Sequence, residues 1–155
     1  MLLEKLVNFL DKKYHHKRVI KFLNNYEIDS IIDVGSHKGE FLTNCIPNIS
    51  FKKAYTFEPQ KKIFKILIKK FNKDSRIKSY NIALGNKNKK EIININRLTS
   101  TSSLQKLNHN SFFLRIKNLL IGKTNIKKNS YRVKINTIDK FFQNKKLTNT
   151  LLKID

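Results

Sequence analysis

Apolar residues recur at helical spacing at the start of the chain: Leu3, Leu6, Val7 and Leu10 form one set, and Val19, Phe22, Leu23 and Tyr26 a second after the polar stretch 12–18. At 3.6 residues per turn this spacing lines one face, so two amphipathic helices, or one bent helix, open the chain. The period then changes. Ser30-Ile31-Ile32-Asp33-Val34 is a short β-branched run closed by Gly35, which predicts a buried strand ending in a turn. A helix is expected from about Gly39 and has to stop before Pro47, because proline lacks the N–H and crowds the preceding turn. Residues 54–57 predict a second strand, and Glu58-Pro59 ends it with the proline in the first turn of the next helix. That helix carries Ile63, Phe64, Leu67, Ile68 and Phe71 on one face, with Lys61, Lys62, Lys65, Lys69 and Lys70 largely on the other as a solvated face. Residues 77–83 predict a third strand, ended by Leu84-Gly85-Asn86. Alternation with connections of this length implies parallel strands in an α/β sheet.

Beyond residue 86 the alternation lapses. Residues 91–96 and 131–136 read as strands that either pair with each other or extend the sheet. Between them Phe112, Phe113, Ile116, Leu119 and Leu120 predict a helix with Arg115 and Lys117 on its polar side. Packing is its simplest role, ahead of a lid or a membrane-surface helix. Thr137 is placed to cap a short helix through Phe142, and Leu151-Leu152-Lys153-Ile154-Asp155 predicts one more buried strand. There is no internal repeat and no linker rich in Gly, Pro or Ser.

Composition narrows the class. A chain of 155 residues with 39% apolar and 28% charged positions suits one globular domain with its own core. The single cysteine, Cys45, excludes an internal disulfide and a thiolate cluster for zinc, which points to a reducing cytoplasm. Glu4, Lys5, Asn8 and Asp11 interrupt any secretory-signal pattern, and no stretch approaches the roughly 18 to 20 apolar residues of a bilayer span. A soluble, cytoplasmic protein without a transmembrane segment is expected, with attachment to a membrane surface left open. The net charge of +22 would attract any polyanion. Yet 28 of the 33 basic residues are lysine, and the planar fork of arginine that reads bases and phosphates occurs only five times. Solvated lysine faces are therefore the first explanation and a nucleic-acid partner the second.

The chemistry concentrates in Asp33-Val34-Gly35-Ser36-His37-Lys38-Gly39, after the first strand, and in Glu58, 25 residues beyond Asp33 at the tip of the second. In a doubly wound sheet both tips open on one carboxyl edge, where adenosine cofactors bind. Gly35 lets the backbone turn sharply and a ligand approach, and Gly39 lets the next helix start near it. Glu58, an acceptor only when ionised, suits the two hydroxyls of a ribose. The loop has G-x-x-x-G, so the pyrophosphate-binding G-x-G-x-x-G is absent, as is the phosphate loop G-x-x-x-x-G-K-[ST]. Dinucleotides and nucleoside triphosphates are disfavoured.

Asp-x-Gly-x-x-x-Gly with an acid ending the second strand resembles the first two motifs of class I methyltransferases, which use S-adenosyl-L-methionine. Six segments in order, DVGSHKGEF, FEP, NIALGNKNKKE, TSSL, VKINTID and LLKID, resemble the FkbM family of methyltransferases over about residues 30–155. The resemblance implies a Rossmann-like, mostly parallel sheet of order 3-2-1-4, truncated after its fourth strand. Residues 30–155 would be a partial methyltransferase domain and 1–29 an N-terminal helical segment. It implies methyl transfer from S-adenosyl-L-methionine to a hydroxyl of a sugar, glycan or polyketide-like small-molecule acceptor. By position, Asp33, Gly35 and Gly39 would surround the methionine part of the cofactor, Glu58 the ribose, and Asn81, Ile82 and Ala83 the adenine, with Ser36 and His37 of the same loop also cofactor-binding. Ser102 and Ser103 match the family's small hydroxyl pair. Asp155 matches the acid beside the place of methyl transfer, where polarising the acceptor, holding a metal and orienting the loop are all open roles. Ser36-His37 stand where the family often has Ala-Asn, and the family's V-E-G after K-I-D is absent.

His37 has two readings, a base for a hydroxyl acceptor or a loop residue contacting cofactor or solvent. His15, His16 and His109 lack ligand spacing and read as surface, and Cys45 reads as a small buried residue. The rival from another class is a basic nucleic-acid-binding module without catalysis, with an RNA methyltransferase between the two.

Overall fold

The computed structural model describes residues 16–95 and 129–155. The chain divides into two compact units, residues 1–89 with 133–155, and residues 90–132. In the first unit α1, His16–Leu23, is followed by β1, Ser30–Val34, and α2, Glu40–Cys45. It continues with β2, Lys53–Phe57, α3, Lys61–Phe71, β3, Ile77–Tyr80, and β4, Ala83–Leu84. β5, Lys89–Ile95, and β6, Asn129–Asn136, are neighbours in one sheet, with the short β4 on the far side of β6. The chain then returns through α4, Ile138–Phe142, and β7, Thr150–Ile154.

β1, β2, β3 and β7 form the main sheet in the order β3-β2-β1-β7, with every pair parallel. This is the expected Rossmann-like α/β sheet of order 3-2-1-4. Its first and last strands are in register, so that Asp33 stands opposite Lys153 and Val34 opposite Ile154. One face packs Ile31 and Ala54 against Ile20, Phe41, Leu42, Leu67 and Phe71 from α1, α2 and α3. The other packs Ile32, Val34, Tyr55 and Phe57 against Phe142, with Phe141 alongside. Edge-to-face rings hold this second core together: Phe141 lies 4.9 Å from Phe57 and 4.7 Å from Tyr80, and Phe142 lies 5.0 Å from Tyr55. Thr137 caps α4 as expected, its hydroxyl accepting from the Lys140 N–H at 3.2 Å.

Several expectations change. The third strand stops at Tyr80, and residues 83–84 join the other sheet, because Asn81 turns to bond the chain beyond β2. The strands of the changed pattern pair with each other and leave the main sheet alone. Pro59 falls outside α3, whose N-cap is Gln60. Ile68 was placed on the buried face of that helix but is exposed, as is Ile66; the stripe Ile63, Leu67, Phe71 fills the contact. In α1 the buried residue is Ile20, while Phe22 and Tyr26 lie outside and tilt against each other at 5.3 Å. β7 is not a fully buried strand: it forms the edge of the sheet, and Leu152 and Ile154 remain exposed. The expected helices over residues 3–10 and 112–120, and Ser102 and Ser103, lie outside the described residues.

Candidate functional site

The carboxyl edge of the main sheet collects the singled-out residues of the first unit. β1 runs into a tight turn in which Gly35 has φ 74°, His37 φ 49° and Gly39 φ 75°, three left-handed residues within five. The turn is tied to the tip of β2, since the N–H groups of Gly35 and Ser36 both donate to the Phe57 carbonyl at 3.0 Å. Ser36 completes the tie. Its hydroxyl donates to the Asp33 carbonyl at 2.7 Å and accepts from the Phe57 N–H at 3.1 Å, which leaves the side chain buried in the turn.

Gly35 and Gly39 serve different neighbours. A side chain on Gly35 would point at Asp155, 3.2 Å from its Cβ, so this glycine lets β1 and β7 leave the sheet side by side. A side chain on Gly39 would lie 2.8 Å from Phe71 Cζ and 2.9 Å from Leu67 Cδ1. Gly39 therefore admits α3 against the turn, a packing role beyond the one expected of it. The start of α2 is also filled from within: the Glu40 carboxylate accepts from the Lys38 N–H at 3.1 Å and lies 3.2 Å from His37 Nδ1. Burial pushes the Glu40 carboxyl up, but the His37 contacts outweigh it and hold it below its ordinary value.

Glu58 sits directly across from this turn. Its Oε2 accepts from the His37 N–H at 2.9 Å and its Oε1 from the Gln60 N–H at 2.7 Å. Glu58, at the tip of β2 as expected, is 3% exposed, covered by the turn that it bonds. Burial raises its pKa, with the two backbone N–H groups pulling the other way. Each oxygen takes one donor, so lone pairs remain for hydroxyl donors. Asn81 braces the same segment, donating to the carbonyls of Glu58 at 2.8 Å and Pro59 at 3.0 Å. Ile82 packs into the aromatic core beside Tyr80, and Ala83 is buried at the start of β4.

On the other side of β1, Asp33 is fully buried, and neither carboxylate oxygen has a hydrogen bond of regular geometry. Lys153 Nζ stands 3.0 Å from its Oδ1 and pairs as well with the Asp155 carboxylate. Burial raises the pKa of Asp33, and the Lys153 ammonium offsets part of that. Burial alone would lower Lys153, but the two carboxylates raise it on balance. Asp155 itself is exposed, and its N–H donates to the Val34 carbonyl at 3.2 Å.

Solved structures resemble parts of this arrangement. The crystal structure of methyltransferase FkbM from Methylobacillus flagellatus KT matches 41% of this chain and 19% of its own, at 18% identity and a TM-score of 0.37. An S-adenosylmethionine-dependent methyltransferase from Clostridium acetobutylicum ATCC 824 matches 52% of this chain and 37% of its own, at 17% identity and a TM-score of 0.35. A candidate RNA methyltransferase from Pyrococcus horikoshii matches 43% and 35%, at 14% identity and a TM-score of 0.38. The chain thus spans well under half the length of these structures. No family model and no curated protein matches the chain.

The structure brings Gly35, Ser36, His37, Glu58 and Asn81 to one edge, with Asp33 and Asp155 on the neighbouring strand pair. Gly39 is the N-cap of α2 and is buried against Phe71 and Leu67 of α3. Two participants were missed, Glu40 and Lys153. Lys153 could have been found from the expected strand order, because an in-register pairing of residues 30–34 with 150–154 sets it beside Asp33. Cys45 is buried and its thiol is pushed up to about 12, mainly by burial, so it carries no nucleophile. Among the described residues no group of three or more His, Cys, Asp or Glu could hold a metal, and no helix is long and apolar enough to cross a membrane.

Proposed function

We propose that this edge binds S-adenosyl-L-methionine and that the chain belongs to a methyltransferase acting on a hydroxyl of a sugar, glycan or polyketide-like acceptor. One observation carries the reading. A buried carboxylate with spare lone pairs is oriented by the backbone N–H of a glycine turn, at the tips of β1 and β2 on the carboxyl edge of a sheet whose strand order reverses at β1. The residues suit the group chemically. Glu58 accepts from the ribose hydroxyls, Gly35 leaves room at the turn, and Asn81, Ile82 and Ala83 border the adenine. Asp33, Ser36, His37 and Gly39 shape the turn around the methionine part, of which only His37 offers a side chain at the surface of the turn. The cofactor supplies an electrophilic methyl on a sulfonium centre. The chain supplies position: Asp155, exposed beside Gly35 and paired with Lys153, is the group that orients an acceptor hydroxyl or takes its proton.

Calorimetric titration with S-adenosylhomocysteine tests this. Charge-assisted hydrogen bonds contribute about 1.5–3 kcal/mol each, so Glu58→Gln should weaken binding by about tenfold or more. Circular dichroism on the same samples separates loss of binding from loss of fold. Equal affinity in wild type and a folded Glu58→Gln variant removes the ribose assignment.

A further inference from the structure

A second surface lies on α3, away from the turn. Lys61, Lys62, Lys65, Lys69 and Lys70 are all exposed along this helix, which contains no acidic residue. Residues 61–78 hold eight cations and a single acid, Asp74, and that acid is engaged by Arg76 at 2.7 Å. Among the described residues no ion pair joins Lys62, Lys65 or Lys69 to a carboxylate. Spacing by three and four residues stacks these ammonium groups on one face, where they repel one another. Positive charge is therefore dense along this segment, on the solvated lysine face that the helical spacing predicts. The strip continues past the helix end into a cavity of about 570 Å³ bordered by Lys70, Lys73 and Arg76.

We propose that this face of α3 docks the phosphate backbone of a nucleic acid. Charge complementarity selects a polyanion, and the helix's own packing argues against a bilayer. Its apolar stripe of Ile63, Leu67 and Phe71 is already buried in the core, so only lysine heads and the shoulders Ile66 and Ile68 remain to meet a partner. A membrane-surface helix needs that stripe facing the lipid. The lysine heads act as point charges that follow a phosphate backbone without reading bases. The proposal stands apart from the cofactor reading and does not require it.

The test uses the full chain and a fluorescein-labelled 20-nucleotide poly(U) RNA, titrated by fluorescence anisotropy across a salt series. Lys62→Gln/Lys65→Gln/Lys69→Gln is compared with Lys87→Gln/Lys140→Gln/Lys146→Gln, which removes the same charge from exposed positions elsewhere. Glutamine and lysine have similar helix propensity, and thermal unfolding checks that both variants fold. The helix variant should bind about tenfold more weakly at 100 mM salt and lose about 2 from the slope of log K against log salt, while the other variant changes less than about twofold. Equal losses in both variants would show diffuse charge and overturn the proposal, as would no binding by wild type at 100 mM salt. Phosphatidylserine vesicles form the second arm: binding to vesicles that the helix variant loses, with RNA binding intact, would also overturn it.

Discussion

Asp33, near the end of β1, and Glu58, just past β2, are neighbouring buried carboxylates that the fold satisfies by opposite means. Asp33 faces the ammonium of Lys153 and has no regular hydrogen bond. Among the described residues Glu58 has no such counter-ion and is aimed by two backbone N–H groups instead. A counter-ion neutralises a carboxylate and absorbs it into the structure. Backbone donors fix its direction and leave it able to accept more. The contrast gives Asp33 a framework role between β1 and β7 and agrees with the ligand role proposed for Glu58.

The largest effect should come from breaking the ionic side of the pair. Lys153→Met leaves Asp33 buried without its counter-ion, which should cost about 3–5 kcal/mol in urea unfolding. Its pH dependence sharpens the point. Burial holds both carboxyls above their ordinary range, so from about pH 4 up to the folded-state value the native form keeps protons that the unfolded form releases. Stability therefore falls as the pH rises through that window, and in Lys153→Met, where the Asp33 carboxyl climbs further, the window widens upward. A variant that loses less than about 1 kcal/mol would mean that Asp33 is solvated.

Next in size is Gly39→Ala. The added methyl meets Phe71 and Leu67 at a left-handed φ, so overpacking and backbone strain together should cost about 2–4 kcal/mol. Affinity for S-adenosylhomocysteine should change little in the fraction that remains folded. Gly35→Ala is expected to be milder in stability, about 1–2 kcal/mol, because its neighbour Asp155 is exposed and able to shift. Its effect on cofactor affinity should be the larger of the two glycine changes. The reverse ranking, measured by unfolding and calorimetry on both variants, would exchange the roles given to the two glycines. Thr137→Ala, which contacts neither carboxylate, should lose only the cap on α4, about 1 kcal/mol, and leave binding unchanged.

Much of this edge was legible from residue order. The β-branched run over residues 30–34 and the glycine after it mark the strand and its turn, since few other structures suit that pattern. The order of the four parallel strands followed from the resemblance and the alternation, and it stands. What escaped was tertiary in origin. Residues 77–83 read as one strand on the strength of Ile77, Tyr80 and Ile82, but Asn81 spends its amide on two carbonyls beyond β2, and the chain breaks there. Ile68 fits the apolar period of α3 yet stays exposed, as the contact is already filled by every fourth residue from Ile63. Spacing alone also could not distinguish Gly39, which faces Phe71, from Gly35, which faces Asp155.

The proposed function requires the turn and Glu58 to act together on an adenosine cofactor. An amide-resolved NMR titration of the full chain with S-adenosylhomocysteine measures this most directly. Saturable shifts should appear at Gly35, His37, Glu58 and Gln60, with the His37 amide moving most because its bond to Glu58 is shared with the ligand. Saturable binding that leaves these four amides unmoved would contradict it.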